Sequence, residues 1–178
     1  MNENTMNESD LYAYTTVKKA YTLGKVYYFD NKAYRYVRYT EESTVGVVGH
    51  TAMFDYTTSN VESEVFTDGD IVLTTDLTDT NFAGVMLATV PVAVDGTIYY
   101  CFVQCAGDFG TTNAAGAVTA GLKSEGAISA GAPVGPTAAA GIVSTMADGQ
   151  EETVIGHAMA AANDTTKFTK VRLRLKFL

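Results

Sequence analysis

Few side chains in this 178-residue chain are of a type that does nucleophilic or metal chemistry. Cys101 and Cys105 sit four apart in the run Thr97 to Gly107 (TIYYCFVQCAG), and the two histidines, His50 and His157, lie far from them. The run is β-branched, aromatic and thiol-bearing, between turn signals at Asp95-Gly96 and Gly107, which predicts a short buried strand. On a strand four residues span ~13 Å, whereas a disulfide holds its Cα atoms within ~7 Å. The thiols are therefore expected unbridged, facing one side of a sheet with Val103 as small buried apolar groups. Each histidine follows a glycine, in Val47-Val48-Gly49-His50 and Val154-Ile155-Gly156-His157. Equivalent strands of two pseudo-repeated halves would produce that match, and so would chance. A zinc site needs three or four ligands with some short spacing among them, which these residues lack. Asp68, Asp70, Asp76 and Asp79 cluster in sequence. Glycoside hydrolysis needs two carboxyls ~5–9 Å apart across a cleft, and calcium a regular series of oxygen ligands that is missing here. Nucleophile-elbow, P-loop and dinucleotide fingerprints are also missing. The expectation is no enzyme, no metal and no cofactor.

The elements that position these residues read as short strands. Val26 to Phe29 and Ala33 to Tyr39 flank Asp30-Asn31, a pair that tolerates the positive φ of a tight hairpin turn. In the second limb Tyr34 and Tyr36 share one face, and Arg35, Val37 and Tyr39 the other. Eight of the eleven tyrosines precede residue 40. That concentration suits a protein interface or a sugar-stacking platform, and equally cross-strand aromatic pairing within the hairpin. Thr44 to Phe54, Ile71 to Thr75 and Ala83 to Val90 are further strand candidates, with a polar stretch over Ser59 to Asp70 that ends in the turn signal Asp68-Gly69. From Gly110 to Gly149 glycines interrupt every helical stretch, so short strands and tight turns are expected. Glu152 to Ala162 carries both helix and strand signals, and we read it as a strand. Phe168 to Leu178 (FTKVRLRLKFL) alternates strictly: Val171, Leu173, Leu175 and Phe177 toward a core, Lys170, Arg172, Arg174 and Lys176 outward. The outward cations either meet an acidic partner or keep the strand from pairing with strangers.

Residues 1–16 are polar, and Leu11, Tyr12 and Tyr14 would anchor them if they dock; otherwise they form a free tail. The first ten residues lack the basic and apolar parts of a secretory leader, and no window approaches the ~18 apolar residues of a membrane helix. A formal charge of −8 argues against nucleic acid as a partner. The expected fold is all-β: a compact β-sandwich or β-barrel of short antiparallel strands with an extended N-terminal arm. The arm covers residues 1–20 and the β domain 21–178, the latter divisible into a tyrosine-rich hairpin region over 21–60 and a main barrel over 61–178.

Several short motifs, in order, resemble the head decoration, or cement, proteins of tailed bacteriophages. Leu23-Gly24-Lys25-Val26-Tyr27 followed by Tyr34-Arg35-Tyr36-Val37 resembles the opening hairpin of that group. Ala83-Gly84-Val85, then Gly96 to Gly107, is similar to its "A-G-V … aromatic-x-x-V-Q-x-x-G" segment. Ala130-Gly131-Ala132-Pro133-Val134, Val154-Ile155-Gly156-His157-Ala158-Met159-Ala160 and the strand Val171 to Leu175 resemble its closing pattern. Tyr99, Tyr100 and Phe102 depart from it, standing where a Gly-Trp pair is expected, and the chain has no tryptophan. The resemblance implies an all-β, non-enzymatic virion protein that binds the outer surface of an icosahedral head between capsomers, made in the host cytoplasm during assembly. Its implied partners are the major capsid protein and copies of itself, as a dimer or trimer, with neither nucleic acid nor membrane. Leu11, Tyr12, Tyr14, Tyr21, Tyr34, Tyr36, Arg172 and Arg174 are the candidate capsid or oligomer contacts. The alternative is a carbohydrate-binding or adhesive β-module on the virion surface that uses the tyrosines as its platform.

Overall fold

A computed structural model describes residues 7–12, 14–55, 69–73, 81–94, 97–112, 114, 118–162 and 168–174. The chain is all-β, and its organising element is the long strand β7 (Tyr99–Phe109), which contains most of the apolar run singled out above. Along one edge β7 pairs antiparallel with β3 (Lys32–Tyr39), from Ala33↔Ala106 to Tyr39↔Tyr99. Three elements share its other edge in succession: β1 (Thr15–Thr16) at Tyr100 and Cys101, β6 (Phe82–Met86) at Val103 and Gln104, and β15 (Val171–Leu173) at Gly107 to Phe109.

The first half of β7 closes a five-stranded barrel. The ring runs β7, β6, β4 (Thr51–Phe54), β5 (Asp70–Leu73), β3 and back to β7. One joint departs from the expected antiparallel pairing: β3 and β5 run parallel, with Arg38 opposite Asp70 and Tyr39 opposite Ile71. The Arg38 guanidinium grips both carboxylate oxygens of Asp70 across that joint, with the Asp70 side chain only 8% exposed. Such a charge-assisted fork adds direction where parallel pairing is slightly weaker per residue. Strand β2 (Val26–Phe29) is joined to β3 by the expected hairpin, whose turn residues Asp30 and Asn31 have φ of 42° and 64°. They supply the two left-handed positions of a two-residue loop.

The second half of β7 begins a second sheet, continued by β15, β13 (Gly156–Ala158), β11 (Pro133–Pro136) and β12 (Val143–Thr145). The passage between the two is built at Gln104 to Asp108. Gln104 is fully buried, and its amide nitrogen donates to the carbonyls of Ala106 and Asp108, each at 3.1 Å. Between them Gly107 takes φ 88°, and a Cβ there would lie 2.7 Å from the Asn31 carbonyl oxygen. Only glycine meets both demands.

Short pieces complete the chain: β8 (Thr111–Thr112) with β9 (Val118–Ala120), β10 (Leu122–Lys123) with β14 (Phe168–Thr169), and a 3-10 turn over Glu151–Thr153. The continuous strand expected from Phe168 is broken at Lys170. Phe168–Thr169 pairs with β10, whereas Val171–Leu173 pairs with β13 and β7. Val171 and Leu173 are buried and Arg172 and Arg174 exposed, as the alternation requires, while Leu175, Lys176 and Phe177 lie outside the described residues. The candidates Thr44 to Phe54 and Glu152 to Ala162 shrink to Thr51–Phe54 and Gly156–Ala158, and in Ala83 to Val90 the strand ends at Met86, followed by an isolated bridge from Val90 to Gly46.

Alternation along β3 and β7 divides the apolar side chains between two cores. Val37, Tyr39, Cys101 and Val103 point into the barrel with Ala52, Phe54, Ile71, Leu73, Ala83, Met86 and Val90. Tyr34, Tyr36 and Phe102 point out of it, into a larger core that includes Leu11, Tyr21, Leu122, Ile128, Ile155 and Val171. That outer core joins the barrel wall, the second sheet and the N-terminal segment into one body.

Candidate functional site

The N-terminal segment is not a free arm over its described length. Glu8–Leu11 forms one helical turn, α1, opened by the Asn7 amide donating to the Asp10 carboxylate at 3.1 Å. Leu11 is fully buried in the outer core, and Thr15 and Thr16 pair with β7. The segment crosses the barrel wall as a strap because the wall presents an aromatic surface that needs a cover. The Tyr14 ring lies 5.8 Å from that of Tyr21, 6.1 Å from Tyr36 and 5.5 Å from Phe102, at inclined or edge-on angles that aromatic rings favour. Residues 1–6 of the expected arm lie outside the described residues.

A polar catch holds the start of the strap. The Glu8 carboxylate accepts from Lys32 Nζ at 2.7 Å and from the Tyr34 hydroxyl, with the Tyr12 hydroxyl 3.3 Å from that of Tyr34. The hydrogen bonds from Lys32 and Tyr34 hold the Glu8 carboxyl below the usual glutamate range. Burial, and then donation to Glu8, holds the Tyr34 phenol above its ordinary range, so it remains a donor. Twenty-four and twenty-six residues separate Lys32 and Tyr34 from Glu8. No local spacing signals contacts of that separation, and Glu8 and Lys32 were not among the expected contact residues.

Four of the eight expected contact residues are thereby placed in the interior. Leu11, Tyr21, Tyr34 and Tyr36 are 4% exposed or less. Their burial follows from the period of β3, which turns Tyr34 and Tyr36 toward Phe102 while the strap closes over them. Tyr21 packs 5.1 Å from Tyr36, and the Tyr36 hydroxyl accepts from the Ala20 amide at 3.1 Å. The tyrosine concentration is thus mainly an internal aromatic cluster, and of the eight early tyrosines Tyr12 and Tyr28 are the exposed ones.

Arg172, Arg174 and Tyr12 are at the surface, and Tyr14 is half-buried. The outer face of the second sheet aligns His157, Arg172 and Asp108 across three neighbouring strands. The Arg172 guanidinium donates to both Asp108 oxygens, at 2.7 and 3.1 Å, and that contact holds the Asp108 carboxyl below the usual range. Arg172 is thus partnered within its own sheet.

Among the described residues the two thiols and Asp70 are also placed. Cys101 is a free thiol buried in the barrel core with Val103, and Cys105 is a free thiol buried at the passage between the sheets, donating to the Ala33 carbonyl at 3.4 Å. Burial pushes Cys101 up to about 12 and Cys105 up to about 11, which removes the thiolate a nucleophile needs. Asp70 is engaged with Arg38, while Asp68, Asp76 and Asp79 lie outside the described residues. Among the described residues no three histidine, cysteine or acidic side chains gather as a metal site, and no helix is long and apolar enough to cross a membrane. No protein-family model, curated protein or solved structure matches the chain.

Proposed function

We propose that this chain is a structural protein of a tailed-phage virion that binds the outer surface of the icosahedral head and ties neighbouring capsomers together. The observation that supports the reading is where the family-like motifs fall. They lie on or beside β2, β3, β6, β7, β11, β13 and β15, and each of these strands is hydrogen-bonded to another of the set. In their sequence order the motifs thus fall within the one eleven-stranded sheet that frames the protein. The motif residues Gln104 and Gly107 build the passage between barrel and second sheet. Gly156, another, faces Arg172 so closely that a Cβ would lie 2.4 Å from its carbonyl oxygen. A compact all-β body held by two cores is a part that many copies of a coat protein can share as a brace. Each copy adds buried area across a joint, and binding only the expanded shell stabilises that state by linkage. Many modest contacts suffice when copies act together.

Mixing the purified protein with undecorated, expanded heads and sedimenting them tests the proposal. Saturable binding at a symmetric number of copies per shell, with raised heat resistance of the shell, is expected. No binding to several related shells would overturn the reading.

A further inference from the structure

His50 is 5% exposed, and neither nitrogen of its ring has a hydrogen-bond partner among the described residues. It sits where the barrel meets the second sheet. The Thr51 amide donates to the Gly141 carbonyl at 2.9 Å, and the Lys123 amide to the Gly49 carbonyl at 3.1 Å. These two bonds tie the start of β4 to the turn between β11 and β12 and to β10. The ring fills the gap between them: a Cβ on Gly141 would lie 2.8 Å from His50 Cβ and Cγ. Ser124, beside Lys123, is a second buried side chain whose hydroxyl has no partner among the described residues. The seam therefore holds two polar groups that water would satisfy if it opened.

Among the described residues the surroundings are one-sided in charge. Lys123, on β10, is the ionisable group whose field reaches the ring. The chain on either side of His50 (residues 45–49 and 51–54), the end of β6 around Met86 and the turn at residues 137–142 contain no ionisable side chain. Glu125, beyond Ser124, is exposed. A proton on the imidazole would be a buried cation with a cation nearby and no acceptor in place among the described residues.

We propose that His50 is an acid-sensitive catch: neutral, it packs the seam between barrel and second sheet, and protonated, it opens that seam. Burial, and then the Lys123 charge, lower its pKa to about 4 from an ordinary value of 6.5. The closed seam thus takes up the proton later than the open one, and closure weakens as pH falls from about 6.5 toward 4. The open fraction should rise up to about tenfold per pH unit within that window. The barrel, whose β3–β7 wall is remote from His50 in the pairing, should stay closed.

Residue-resolved hydrogen exchange of the intact chain at pH 7.5, 6.5, 5.5 and 4.5, corrected for intrinsic rates, tests this. The Thr51 and Lys123 amides should lose protection by about 40-fold between pH 6.5 and 4.5, relative to amides of β3. In His50→Met they should lose none. A wild-type ratio that does not change with pH, or an equal loss in His50→Met, overturns the proposal. If that variant does not fold, NMR titration of the wild-type imidazole decides. Titration well below the ordinary value is expected; titration at the ordinary value with the seam amides still protected refutes the catch.

Discussion

Replacing Leu11 by alanine separates a docked strap from a free arm. Leu11 is fully buried in the outer core, and large-to-small changes at such sites cost about 2–5 kcal/mol. The loss cannot exceed the free energy that docks the strap, because beyond that the strap simply lifts. Docking otherwise rests on Tyr14 against Tyr21, Tyr36 and Phe102, the two-residue pairing of β1, and the Lys32–Glu8 pair. That pair is a quarter exposed on each side and adds no more than about 1 kcal/mol. A loss of about 2–3 kcal/mol is therefore expected, at the low end of the range. Urea unfolding followed by tyrosine fluorescence and circular dichroism reads the change in global stability; the chain has no tryptophan to obscure it. Hydrogen exchange reads the strap directly, and the one amide of the Thr15–Thr16 pair that donates into the β7 ladder should exchange about 30-fold faster or more in the variant. An unchanged unfolding midpoint, with that amide already exchanging at free-chain rates in the wild type, would refute the strap.

Three further outcomes follow from the packing. Gly156→Ala should destabilise by about 1–3 kcal/mol in urea, because its Cβ would meet the Arg172 backbone and not a side chain that can move; an unchanged midpoint would show that β13 and β15 are farther apart. Asp70→Asn leaves the Arg38 guanidinium, 21% exposed, without its counter-charge and should cost about 3 kcal/mol. A change under a few tenths would mean that the parallel joint does not depend on the pair. Cys101 and Cys105 should resist alkylation at pH 8 in the native protein and react promptly in urea, since burial holds both thiols protonated. Prompt native labelling would place either thiol at the surface.

Local chemistry made part of the fold readable. The Asp30-Asn31 turn, the two faces of the second hairpin limb and the buried thiols all follow from propensities acting within a few residues. Long-range pairing hid the rest. Nothing near Arg38 signals that its partner is Asp70, and nothing near Lys170 signals that the chain changes partners there from β10 to β13 and β7. The same holds for the candidate contacts. Tyrosine is amphipathic enough for a surface or a core, and only the strap and β7 decide that Tyr34 and Tyr36 are interior. Arg172 was expected at the surface and is there, yet its Asp108 partner is 64 residues away.

The proposed place on a phage head is tested most directly by a cryo-EM reconstruction of expanded heads saturated with the protein. The account predicts density on the outer surface at joints between capsomers, following the icosahedral symmetry and fitted by the five-stranded barrel with its second sheet. Saturated heads that show no added density, or density only inside the shell, would contradict it.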